Sequence, residues 1–87
     1  MNFLDVFAQL LSEKINKKLL PCKGILRFAF MDANLNLDSS KYDDYKIVFN
    51  QYLKERLIRI GIENADEIVK SMISELINNQ SLFVMAS

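Results

Sequence analysis

At 87 residues, with 51% apolar side chains, two glycines and one proline, the chain suits one compact domain over 1–87 and is too short for two. Eleven basic and eleven acidic residues cancel, so no net field draws it toward nucleic acid or an anionic membrane, and such binding would need a local patch. The single cysteine, Cys22, excludes an internal disulfide framework and points to a reducing, cytoplasmic setting.

The opening Met1-Asn2-Phe3-Leu4-Asp5 has neither the basic start nor the continuous apolar block of a signal peptide. Phe3, Val6, Phe7, Leu10 and Leu11 recur at the three-and-four spacing of a helix face, and Asn2 with Asp5 forms a weak capping-box start. Pro21 predicts the end of this helix near Leu20, because the residue before a proline avoids helical backbone. Lys14, Lys17 and Lys18 then fall in its last turns, against the negative end of the helix dipole.

After Pro21 two templates compete. Cys22, Ile25, Leu26, Ala29, Phe30 and Ala33 fit a helix with proline in its first turn, although Gly24 weakens it and Phe28 and Met31 fall off the face. As a strand, Leu26, Phe28 and Phe30 would share one side and Ile25, Ala29 and Met31 the other, which Arg27 interrupts. Helix is the favoured reading.

Asn34 to Ser40 has the polar composition of a loop, and Ser40 followed by Asp43 and Asp44 predicts a helix start. The helix over 42–60 carries two apolar faces where a surface helix needs one. Tyr42, Tyr45, Phe49, Tyr52, Leu53, Leu57 and Ile60 form the main stripe, while Ile47 and Ile58 lie on the other side, so this helix is central or touches a partner. Arg56 falls inside the main stripe by angle, between Tyr45 and Phe49, where a charge has to snorkel, find an acid or sit at an interface.

Gly61 is placed as a left-handed C-terminal cap. Asn64 with Glu67 has the form of a capping box for a last helix, whose face is Ala65, Ile68, Val69, Met72, Ile73, Leu76 and Ile77 and which Asn78, Asn79 and Gln80 end. The longest apolar run, 82–86, is far short of the roughly 20 residues that cross a bilayer, and its sequence suits a helix extension, a short strand or an apolar plug equally. The predicted fold is therefore all-α, a small bundle of about four helices. The alternative is α+β with a short strand near 24–31.

Catalytic signals are missing from the sequence. Without histidine the commonest general base and metal ligand is gone, one cysteine cannot assemble an ordinary zinc site, and Gly24 and Gly61 stand alone rather than in a phosphate loop. Asp43 and Asp44, as neighbours on a helix, point about 100° apart and do not converge on one reacting atom. Cys22 reads as a small buried apolar group. The expectation is a non-enzyme with no catalytic residue, no metal and no cofactor.

Two clusters suggest contacts. Tyr42, Asp43, Asp44 and Tyr45, with Ile47, Arg56 and Ile58 on the same helix, are the candidate partner-binding residues, since tyrosine is enriched at interface hot spots and acids steer a basic partner. Lys14, Lys17, Lys18, Lys23 and Arg27, opposed only by Glu13, form a basic patch that suits phosphates or lipid head groups, although a solvated helix end explains it more simply. The glycine turn 60–64 invites comparison with a helix-turn-helix reader, but Glu63, Asp66 and Glu67 would face the phosphates, which argues against nucleic acid. The expected function is stoichiometric association with a protein or with a second copy, as in a homodimeric regulator or a toxin-neutralising, immunity-type inhibitor. A nucleic-acid-binding regulator using the 14–27 basic block is the rival.

Overall fold

The computed structural model describes residues 3–81, so the Asn2 cap and the 82–86 run lie outside the described residues. Among the described residues four helices follow one another: α1 (Phe3–Ile15), α2 (Leu19–Asp32), α3 (42–59) and α4 (Ala65–Asn78), with a short 3-10 turn at Leu37–Ser39 between α2 and α3. The described residues contain no strand, and 24–31 lies inside α2, so the fold is a small all-α bundle and the α+β alternative falls. No described helix is long and apolar enough to cross a membrane.

Proline does not stop α1 where expected. That helix ends at Ile15 rather than near Leu20, and Asn16 follows in left-handed backbone at φ 55, which asparagine tolerates better than most residues. Pro21 instead occupies the third position of α2, where its missing N–H is one of the amides that a helix start leaves unbonded anyway. Lys17 and Lys18 therefore lie in the connection, and only Lys14 remains in the last turn of α1. The Ser12 hydroxyl donates to the Lys17 carbonyl across this turn.

Both α2 and α3 end in the same paired-amide motif. After α2, Asn34 takes φ 59, its N–H donates to the Met31 carbonyl at 2.9 Å, and the Leu35 N–H donates to Phe30 at 3.0 Å. After α3, Gly61 takes φ 90, its N–H reaches Ile58 at 3.0 Å, and the Ile62 N–H reaches Leu57 at 2.9 Å. The N-termini depart from expectation. Ser40 does not cap α3; its hydroxyl donates to the Asn36 carbonyl at 2.6 Å, and the helix starts after Lys41, whose N–H donates to the Asp44 carboxylate at 3.0 Å. Asn64 precedes α4 without a side-chain cap bond, because its ψ of 38 is far from the extended backbone that aims a cap at the first amides.

The core draws on all four helices. Leu4, Phe7, Ala8 and Leu11 of α1 and Cys22, Leu26, Ala29 and Phe30 of α2 meet Tyr45, Val48, Phe49, Leu53 and Leu57 of α3, while Ala65, Ile68, Val69, Met72 and Leu76 of α4 close the other side. Tyr45 is the hub of an aromatic cluster, with ring centroids 4.9 Å from Phe30, 5.7 Å from Phe7, 5.9 Å from Phe49 and 6.2 Å from Phe3. Burial pushes its phenol from 10.0 up to about 12, and the Asp38 charge adds to the shift. The folded state thus disfavours the phenolate, so stability should be flat below pH 10 and fall as pH rises from 10 toward 12. Thermal midpoints of the protein and of Tyr45→Phe over that window check this; the variant should lose part of the decline.

The middle of α3 is not α-helical. Tyr42–Ile47 and Lys54–Arg59 are α-helix, but Val48–Leu53 winds as a π-helix. One π turn absorbs one extra residue, so everything after it is set back by about one residue, or roughly 100°. That slip explains the burial pattern. Tyr45, Phe49, Leu53 and Leu57 are all buried although each is four residues from the last, a spacing that drifts off one face of an unbroken α-helix. It also carries Arg56 out of the apolar stripe to the edge of the helix beside α2.

Candidate functional site

The structure scatters the expected partner-binding residues. Tyr45, 4% exposed, belongs to the core, and Tyr42 is half-buried. Asp43 is exposed, whereas Asp44 is partly buried and accepts the Lys41 amide, which is the stabilising task of an acid at a helix start. Arg56 finds an acid at the end of α2: Nε lies 3.1 Å from Asp32 Oδ2, and Nη2 lies 2.9 and 2.8 Å from the two carboxylate oxygens. Its guanidinium also lies 5.2 Å from the centre of the Phe28 ring. This clasp ties α2 to α3 and sets the guanidinium over one face of Phe28.

Ile47 and Ile58 are 51% and 57% exposed, so the chain itself covers neither fully. The π turn moves them from about 20° apart on an unbroken helix to about 80° apart, with exposed Asn50, Gln51 and Glu55 between them in sequence. They do not make one stripe. Ile58→Asp should therefore leave the domain folded and change its stability by no more than about 0.5 kcal/mol, as read by urea denaturation.

The basic residues are divided as well. Lys23 Nζ lies 2.7 Å from Asp5 Oδ1, while Lys14, Lys17, Lys18 and Arg27 are exposed and form no salt bridge among the described residues. Arg27 leans over an open groove of about 710 Å³, lined also by Phe30, Met31, Leu35, Leu37 and Asp38, where the chain turns out of α2. The groove exists because the Asn34 cap and the 3-10 turn fold the connection back past the end of the helix.

No family model, curated protein or solved structure matches this chain. Its surface chemistry carries the functional reading, and the outer face of α2 is the part that the sequence reading did not single out. Leu20 is 76% exposed, Phe28 51% and Met31 66%, with Leu19 beside them. Leu20, Gly24 and Phe28 are successive i, i+4 positions, with Met31 one further step along, so they share one side of the helix. The signal was in part legible, since Phe28 and Met31 fall off the buried face. Leu20 is hidden in the sequence because the residue before Pro21 reads as the end of the first helix.

Gly24 stands in the middle of this face. It lies within a regular helix without positive φ, and a Cβ built there would meet nothing within 4 Å, so neither the backbone nor the packing of this chain requires glycine. A mid-helix glycine costs about 0.5–1 kcal/mol relative to alanine. Gly24→Ala should recover that and raise the thermal midpoint by roughly 2–8 °C in a scanning calorimeter.

Proposed function

We propose that the protein is a non-enzymatic module that works by stoichiometric association with a protein partner, and that the outer face of α2 is its docking surface. The observation that carries this reading is the set Leu20, Phe28 and Met31, each at least half exposed on one side of one helix after the chain has packed its core. Scattered apolar side chains on a surface are ordinary, but exposed apolar side chains gathered on one side of one helix of a small domain are a feature of interaction sites. A module of this kind regulates or inhibits by occupying its partner, and a reducing cytoplasm suits its buried, unpaired Cys22.

Tagged full-length protein, recovered from the cells that express it, tests the reading. The wild type should elute in a complex of fixed stoichiometry with a protein, and Leu20→Asp/Met31→Asp should elute alone while keeping its circular dichroism spectrum. The proposal falls if the wild type is a monomer without a partner. It falls equally if nucleic acid co-purifies and is released steeply by salt, which is the behaviour of a phosphate-binding basic patch.

A further inference from the structure

We infer that the partner presents an amphipathic helix whose apolar seam is flanked by carboxylates, and that this helix crosses α2 at Gly24. The inference rests on the docking reading above and adds the chemistry of what docks. Three features of α2 point the same way. Its exposed apolar positions follow helical spacing, which matches the seam of another helix better than an extended segment. Gly24 lies between Leu20 and Phe28 with open space in front of it, and a residue without a side chain at a crossing point lets two helix backbones approach closely. The fold itself gains nothing from that glycine; a close neighbour would.

Charge selects the kind of helix. Asp32, the one acid of α2, is held by Arg56, and Asp5 is held by Lys23, so the local acids are largely occupied. Lys14, Lys17 and Lys18 around the α1–α2 turn, with Glu13 their nearest acid in sequence, and Arg27 beside Phe28 remain as exposed cations. A second copy of the chain would bring Lys17, Lys18 and Arg27 against their own like, which opposes self-association through this face. Carboxylates flanking an apolar seam satisfy both parts of the surface. The groove under Arg27 gives such a helix a place for one apolar anchor, over Phe30, Leu35 and Leu37. Asp38 is the acid among its lining residues, so the partner's carboxylates belong at the Arg27 side.

A photo-crosslinking benzoylphenylalanine placed at Leu20, or at Ile47 as a reference, in the otherwise native full chain inside the expressing cells tests this, with the crosslinked peptides mapped by mass spectrometry. The expected result is a crosslink from position 20 to a segment of another protein with apolar residues at helical spacing and Asp or Glu on its flanks. Gly24→Leu, which fills the crossing point, should weaken that association by at least about tenfold without loss of helicity, and Lys17→Glu/Arg27→Glu should do the same. A crosslink to a second copy, to lipid, or to a segment without acidic flanks overturns the inference. So does binding to phosphatidylglycerol vesicles, abolished by Lys17→Glu/Arg27→Glu, with no protein crosslink. A crosslink from position 47 alone refutes this face and leaves association with a protein standing, whereas no crosslink at either position refutes both.

Discussion

Tyr45→Ala should bring the protein to the edge of unfolding at room temperature. A domain of this length holds on the order of 4–13 kcal/mol of stability, and truncating a large buried aromatic to alanine removes about 3–5 kcal/mol. Tyr45 belongs at the upper end of that range because its ring touches aromatic side chains from both α1 and α2 as well as Phe49 on its own helix. Its removal leaves a cavity among Phe7, Phe30 and Phe49 that the packed helices close only in part. Tyr45→Phe keeps the ring and its edge-to-face contacts, and should cost only about 0.5–1.5 kcal/mol for the hydroxyl. Urea denaturation followed by circular dichroism separates the two variants. A Tyr45→Ala protein as stable as the Phe variant would show that the aromatic cluster does not hold the helices together.

That expectation changes what the tyrosine cluster can be used for. Read from the sequence, Tyr42 to Tyr45 is a place where a partner's side chains land. With Tyr45 in the core, any loss of binding in Tyr45→Ala is a loss of fold first. A folded probe of the same region is Asp43→Ala, since Asp43 is exposed and makes no salt bridge among the described residues.

The helical class was legible because the chain repeats apolar residues at helical spacing in four places and punctuates them sparsely. α4 is the cleanest case: Ala65, Ile68, Val69, Met72 and Leu76 are all buried as their spacing requires, and only Ile77, at the edge of the stripe, is exposed. Boundaries were harder, and for identifiable reasons. Pro21 carries the same sequence signal whether it ends one helix or lies in the first turn of the next, and the left-handed Asn16 that decides between them is one asparagine among many. Asn34 closes α2 with the same hydrogen-bond pattern that Gly61 gives α3, but asparagine announces a left-handed position less clearly than glycine. The proposed docking face is hidden in the sequence for the same reason, because Leu20 joins Phe28 and Met31 only once α2 begins at Leu19. The Arg56 to Asp32 pair, 24 residues apart in sequence, shows only its basic half locally: the angle of Arg56 asks for an acid, and nothing near it names Asp32.

The largest departure, the π turn, did leave one. Three successive steps of four residues, from Tyr45 through Phe49 and Leu53 to Leu57, exceed the 3.6-residue repeat and drift about 120° around an unbroken α-helix. Arg56 in the middle of the apolar stripe is the same conflict seen from the other side. One extra residue in a wide turn resolves both at once, and an experiment that removes residues from that turn distinguishes it from an ordinary helix. Deletion of Gln51, an exposed residue of the π segment, should leave the protein folded, because a five-residue α-helical path in place of six π residues still delivers Leu53 and Leu57 to the core. Deletion of Asn50 and Gln51 together has no extra residue left to absorb the second loss. Leu53 and Leu57 then rotate by roughly 100° out of the core, Lys54 and Ile58 turn into their places, and the burial of Leu53, worth about 2–5 kcal/mol, is exchanged for an unpaired buried charge. The double deletion should therefore unfold the domain, while the single deletion shows a cooperative thermal transition close to that of the parent. An unbroken α-helix would fail at the first deletion, so loss of folding in the Gln51 deletion would overturn the π turn as the device that sets the phase of α3.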